Sequence, residues 1–338
     1  MLTSNFDASY DSLPPPQPAP RLSPPIARAS ALAPASIGNV GPGLDVLGMA
    51  VTGPGDHVTA ERTTSRGVEI ADPGHPELPR DAAKHTAGIA ATEVLRRAGA
   101  NDVGVRLTVQ KRLPLSGGQG GSAASAVAGA VAVNRLLGDP LDIAALLACA
   151  LEAEAAVSGR HADNLAPALL GGIALVRSVD PMDVVSLPVP AALRIVLALP
   201  DQRLRTAEAR EVLPRFITRE AAIAQMANVA AMVAAFTSGD LALLGRALDD
   251  QIAEPARAGL LPGFVEAKAA ALAAGALGGS ISGAGPTNFY HTDSDARAEA
   301  VATAVRASYE ALGIGCTARV ARVAPIGALR LGADATSA

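Results

Sequence analysis

The segment that most constrains the fold runs from residue 111 to 137, KRLPLSGGQGGSAASAVAGAVAVNRLL. It joins the end of an alternating apolar strand at 103–109 to an Ala-rich helix at 122–137 through a glycine-dense turn. Glycine lets backbone amides turn inward and approach a ligand, and the first turn of a helix adds unpaired N–H groups with a partial positive charge. That geometry suits phosphate, although the same turn also serves simply to let a helix pack close to a sheet. Other nucleotide and nucleophile motifs fail on spacing. There is no GxxxxGK[ST], Gly118, Gly120 and Ala123 miss the third glycine of GxGxxG, and Ser122 lies in GGSAA without the closing glycine of GxSxG.

Composition narrows the function classes. With 338 residues, 49% hydrophobic and 18% charged, the chain can fold around a sizeable core of about two domains. Aromatic residues are 2%, Trp is absent, and 28 basic residues face 32 acidic ones. Neither a stacking platform nor a positive field is available, so nucleic acid is not an expected partner. Cys149 and Cys316 form no CxxC pair and read as small core hydrophobes, which excludes a disulfide scaffold or structural zinc. No apolar run approaches the roughly 18 residues that span a bilayer, and no secretory signal opens the chain, so a cytoplasmic protein without a membrane partner is expected. Residues 1–27 contain SLPPPQPAPRLSPP and read as a disordered tail, a proline-rich ligand being the alternative.

Beyond the tail, strands are predicted at 58–61, 68–70, 103–109, 172–176, 184–187, 194–199, 287–290 and 317–324. Helices are predicted at 86–97, 122–137, 141–157, 219–236, 241–253, 264–274 and 296–312. The mixture lacks a regular βαβ cadence, so the fold class is α+β with mixed sheets, in two lobes meeting near 180–195.

Two further glycine-rich stretches are PASIGNVGPGLDVLGMA at 34–50 and GGSISGAGPT at 278–287, either of which alone is no more than a tight turn. The three segments in this order resemble the GHMP kinases, the group of galactokinase, homoserine kinase and mevalonate kinase. The resemblance implies a two-lobed fold with an ATP-binding cleft between the lobes, an N-terminal ATP-binding domain at 28–185 and a C-terminal domain at 186–338. Within the group the likeness is most specific to the homoserine kinases. Its marks are Asn39 with GPGLDVLG around Asp45, SGRHADNLAPALLGG at 158–172, TAEAREVLP at 206–214 and EPARAGLLPGF at 254–264.

The resemblance implies ATP-dependent phosphorylation of the side-chain hydroxyl of L-homoserine, with Mg2+, in threonine biosynthesis. The nucleotide cradle falls on Pro114, Gly117, Gly118, Gln119, Gly120, Gly121, Ser122 and Ala123, with Lys111 able to reach a phosphate, and the metal falls on Ser122 and Glu154. Asn39, Asp45 and Asp163 hold the polar groups of the amino acid and Arg210 and Arg257 its carboxylate, with His161 and Thr206 as further candidates for the same pocket. An aspartate that other members place near the acceptor hydroxyl is matched by Asn164, which cannot accept a proton. Asn164, Thr206 and Arg210 are therefore expected to act by positioning and electrostatics. The central loop departs from the family's PxGSGLGSSAAS at Ser116, Gly117, Gln119 and Gly121, which puts hydroxyl contacts there and the packing under Gln119 in doubt. The readings kept beside this one are a GHMP kinase for another small alcohol and a catalytically silent metabolite-binding member; the oligomeric state is open, a homodimer included.

Overall fold

The structure, a computed structural model, describes residues 26–329. The expected Pro-rich tail lies outside the described residues up to position 25. The chain begins with a long antiparallel hairpin of β1 (Arg28–Val40) and β2 (Gly43–Thr63). Only residues 58–61 of this hairpin were legible as strand, because glycines interrupt the alternation. They serve close approach: a Cβ on Gly48 would lie 1.5 Å from the Asp163 carbonyl oxygen, and one on Gly55 2.4 Å from that of Ala33.

β3 (Gly67–Asp72), α1 (Thr86–Arg97) and β4 (Gly104–Gln110) follow, β3 and β4 pairing in parallel. Then come α2 (Gly121–Leu136), α3 (Ile143–Ala155), α4 (Leu165–Leu170), β5 (Ile173–Val179) and β6 (Met182–Leu187). The first sheet has the order β3-β4-β2-β5-β6, with β1 on β2. α2 is buried nearly all round, and its small residues let it sit close to α1 and the hairpin, with Gly129 against Ala87. Its lack of an amphipathic stripe follows from that two-sided burial.

β7 (Arg194–Pro200) opens the second part, followed by α5 (Thr206–Glu211), α6 (Arg219–Ser238), α7 (Leu241–Ala247), α8 (Ala253–Arg257) and α9 (Phe264–Ala273). β8 (Gly278–Ile281), β9 (Asn288–Thr292), α10 (Asp295–Ala311) and β10 (Cys316–Ala321) complete it. The second sheet, β10-β7-β9-β8, is antiparallel throughout. The fold is thus α+β, with one mixed and one antiparallel sheet.

Two sequence expectations change. The helix expected at 241–253 stops at Ala247, because the buried Asp250 carboxylate accepts from the amides of Ile252, Ala253 and Glu254 and starts α8 instead. The strand expected at 317–324 stops at Ala321. Past it the chain crosses back to the first sheet, where Val323 bridges Val51, Gly172 N–H donates to Ala324 O and Ala328 N–H to Ala168 O.

α6 is, among the described residues, the one helix long and apolar enough by length and composition to cross a bilayer, a run the sequence reading did not recognise. In the fold it packs on α7, and Gln225 from its buried side donates to Pro42 O at 2.7 Å and Asp250 Oδ1 at 2.9 Å. Cys149 is a core residue and Cys316 half-buried; both are free, and burial pushes their thiols up to about 12 and about 11.

Candidate active site

The three glycine-rich segments meet. Gly283 N–H donates to Gly38 O at 2.9 Å, and Asn39 Nδ2 donates to Gly283 O at 2.9 Å. Ser282 Oγ donates to Gly118 O at 2.6 Å, while Thr287 donates to Gly117 O through both its amide and its hydroxyl. Gly118 has φ +74°, and a Cβ there would lie 2.6 Å from Ser282 O and 2.8 Å from Gly285 O. Glycine is required at this position by the neighbouring loop as well as by the backbone. The joined loops wall a cleft of about 390 Å³.

At one end of the cleft stands the N-terminus of α2. Its cap is Gly120, with no side-chain cap, and the first intrahelical bond is Ala124 N–H to Gly120 O. The amides of Gly121, Ser122 and Ala123 precede that bond and have no helical acceptor, a ready anion site. Ser122 Oγ donates to Glu154 Oε2 at 3.1 Å. Glu154, on the last turn of α3, is 4% exposed, and its other oxygen accepts from the Ser158 hydroxyl. Among the described residues no Lys, Arg or His lies within ion-pair distance of it. A buried carboxylate with a hydroxyl beside it and no cation fits a hard divalent ion that keeps some of its waters.

The other end is built around Asn39. Its amide donates to Asp163 Oδ2 at 2.8 Å, and its side-chain oxygen accepts from Asp45 N–H at 2.9 Å. Both Asn39 (φ 53°) and Asp45 (φ 58°) hold left-handed backbone, a strain that this network over-determines. Arg210 donates bidentately to Asp45, at 2.6 and 3.2 Å. Arg257, 2% exposed, donates to Ala209 O at 3.0 Å and Gly283 O at 2.9 Å and has no carboxylate partner among the described residues. Burial, then the nearby Arg210, draw its pKa below the usual guanidinium value. Asp163 is its counterpart of opposite sign. Burial pushes its carboxyl up to about 6, against the pull of His161 and the Asn39 amide, and Oδ1 has no hydrogen-bond partner. His161 Nδ1 lies 3.8 Å from Oδ1, and its Nε2 faces Ser158 O at 2.9 Å.

Of the residues singled out in the sequence, Asn39, Lys111, Pro114, Gly117, Gly118, Gly120, Gly121, Ser122, Glu154, His161, Asp163, Asn164, Thr206, Arg210 and Arg257 line this cleft. Asp45, Gln119 and Ala123 do not. Asp45 is engaged by Arg210. Gln119 turns to the far side of the loop, where Nε2 donates to Thr287 Oγ1 at 3.3 Å, and Ala123 faces the core. The Lys111 ammonium is ion-paired with fully buried Asp56 and donates to Gly121 O at 2.6 Å and Ser125 Oγ at 3.1 Å. It braces the glycine loop from beneath.

Sequence reasoning missed Asp56 and Ser36. Asp56 lies 55 positions from Lys111, with no local pattern to link them. Ser36, inside PASIGN, donates its hydroxyl to Asn164 Oδ1 at 2.9 Å and its amide to Gln119 O at 3.2 Å, joining β1, the loop and Asn164. That pairing turns the amide oxygen of Asn164 toward Ser36.

Known proteins resemble this chain in sequence and in fold. The GHMP kinases N terminal domain family matches residues 84–172, and the GHMP kinases C terminal family matches residues 232–311. A homoserine kinase of Chloroherpeton thalassium is 42% identical over 296 residues, covering 83% of this chain and 92% of that protein. One of Arabidopsis thaliana is 40% identical over 277 residues, or 80% of this chain and 75% of that one. The crystal structure of homoserine kinase from Cytophaga hutchinsonii superposes with a TM-score of 0.86 at 42% identity, over 90% of this chain and 98% of that chain. The crystal structure of L. major mevalonate kinase shares the fold, with a TM-score of 0.68 at 16% identity and coverage of 90% of this chain and 100% of that one. Glycine loops that interlock around one cleft, together with relatives alike over most of their length, show that the chain belongs to the homoserine kinase family of the GHMP kinases.

Proposed function

We propose that this enzyme transfers the γ-phosphoryl group of ATP to the side-chain hydroxyl of L-homoserine, giving O-phospho-L-homoserine, the phosphorylation step of threonine biosynthesis. The observation that carries the reading is a buried cation and a buried carboxylate, Arg257 and Asp163, both incompletely paired in one cleft. Unmatched charges at those depths are costly, and an amino-acid zwitterion relieves both: its carboxylate at Arg257 and Arg210, its ammonium at Asp163.

When bound, Mg2+-ATP supplies the phosphoryl group and neutralises charge on its oxygens. The amides at 121–123 would hold phosphate oxygens, and Ser122 and Glu154 would provide oxygen ligands for the metal. Lys111 and Asp56 hold the loop in shape. Asn164, oriented by the Ser36 hydroxyl on its amide oxygen, cannot take a proton, so it positions and polarises, as do Thr206 and Arg210. We read residues 28–185 as the ATP-binding domain and 186–338 as the second domain; the change of sheet between β6 and β7, at 188–193, lies just past that boundary, which falls within the last residues of β6.

The test is a phosphotransfer assay with homoserine, mevalonate, galactose and shikimate as acceptors. Homoserine is expected to be turned over with the highest kcat/KM. Preference for a sugar or a non-amino acid overturns the assignment.

A further inference from the structure

A second groove, about 720 Å³ in volume, shares Lys111, Pro114, Leu115, Gly117 and Arg203 with the catalytic cleft as a common wall. Its floor is one face of the second sheet. Leu197 pairs with Arg319 and Leu199 with Thr317 across β7 and β10, so these four side chains stand on the same side. Two of the side chains that line it each carry a buried polar atom without a partner. Arg319 Nη1 donates to Thr52 O at 2.6 Å, but Nη2 is buried without a partner. Gln202 Nε2 donates to Pro262 O at 2.8 Å, while its Oε1 is also buried and unpaired.

The guanidinium is accommodated by design of the backbone. Gly53 faces it, and a Cβ there would come within 2.6 Å of Arg319 Nη1. No carboxylate compensates it among the described residues, and burial lowers its pKa. The other cations of the groove do not change this. Lys111 is neutralised by Asp56 and Arg203 by Glu77, which leaves Arg112 and Arg319 against Asp201. A concave, largely apolar surface with a few convergent polar groups is the usual form of a small-molecule site.

We propose that this groove is a second ligand site, taking a small organic anion whose carboxylate or phosphate pairs with Arg319 Nη2 and whose apolar body lies on Leu115 and Leu199. A hydroxyl or N–H on the ligand would satisfy Gln202 Oε1. Nothing in the reaction needs this occupant, so the site stands independently of the substrate assignment.

The test uses the full chain saturated with homoserine and a non-hydrolysable ATP analogue, which fills the catalytic cleft. It is titrated calorimetrically with benzoate, phenyl phosphate and, as an uncharged control, benzyl alcohol. At least one anion is expected to bind saturably and the alcohol not to bind. Arg319→Met is expected to weaken that binding about tenfold or more, as loss of a charged hydrogen bond does. Thr317→Trp fills the groove from an exposed strand position and is expected to abolish it, which keeps the test decisive if Arg319→Met does not fold. Absence of anion binding to the wild type overturns the proposal. So does equal binding of the alcohol, or unchanged anion affinity in either folded variant.

Discussion

At the scale of single residues, the site trades stability for recognition. Asp163 has a carboxyl raised to about 6 by burial, about two units above the ordinary value of 3.8. Because the folded pKa is the higher one, the folded state binds the proton more tightly, and stability is lost as pH rises from about 4 through 6. At about 1.4 kcal/mol per unit this amounts to roughly 3 kcal/mol at neutral pH. Asp163→Asn is therefore expected to melt at a higher temperature than wild type at pH 8 but not at pH 4, while its homoserine kcat/KM collapses; melting curves at both pH values with kinetics check this. In the wild type, KM for homoserine is expected to fall as pH rises through 6. Arg210 and Arg257 act on the opposite charge. Replacing either by Ala is expected to weaken homoserine binding by well over tenfold, since losing a buried charged hydrogen bond costs about 2–5 kcal/mol. KM for ATP should move little, and Arg257→Lys should restore only part. Unchanged preference for homoserine over its decarboxylated analogue in both Ala variants would place the clamp elsewhere.

At the scale of elements, what matters is whether a glycine serves the backbone alone or a neighbouring loop as well. Gly138, with φ +86°, closes α2 and has nothing within 4 Å of its would-be Cβ. Gly118 has the same sign of φ but faces the loop of Ser282 and Gly285. Gly138→Ala is expected to cost only the left-handed strain, about 1–2 kcal/mol, with activity retained. Gly118→Ala adds an overpacking penalty and is expected to cost roughly 3 kcal/mol or more and to lower turnover, because it parts the loops that shape the cleft. Parallel measurements of Tm and kcat separate the two, and equal effects would show that the loop contact does not matter. Element ends were legible where one chemistry ruled locally, as at the start of α6, where the Thr218 side chain caps the Ala221 amide. They were not legible where a distant group competed, as Asp250 does for the end of α7.

At the scale of the whole molecule, the first core does not end with the first sheet. It continues through Met232, Phe236 and Phe289, and the segment after β10 returns to it at Val323 and Ala328. This continuity predicts that charging a buried group anywhere in it is felt globally. His291, at the centre of the second sheet, is buried with neither ring nitrogen bonded, and burial draws its pKa down to about 3. A folded pKa below the unfolded one means stability is complete above about 6.5 and is lost as pH falls toward 3, by up to roughly 5 kcal/mol. His291→Phe is expected to flatten that acid loss while leaving stability at pH 8 nearly unchanged. A variant with the wild-type acid midpoint would assign acid unfolding to other groups.

The sequence alone determined the kinase family, the glycine loop with its helix, the α+β class and most of the polar residues of the cleft, because each is written in a contiguous run whose backbone needs or charges are local. Only the tertiary structure decided that Arg210 is paired with Asp45, that Arg257 is left without a carboxylate, that Lys111 belongs to Asp56, and that Ser36 holds Asn164. Those partners come from strands and helices up to 165 positions apart. Which charges share a buried space is set by how the sheets and loops pack, and no spacing along the chain records it.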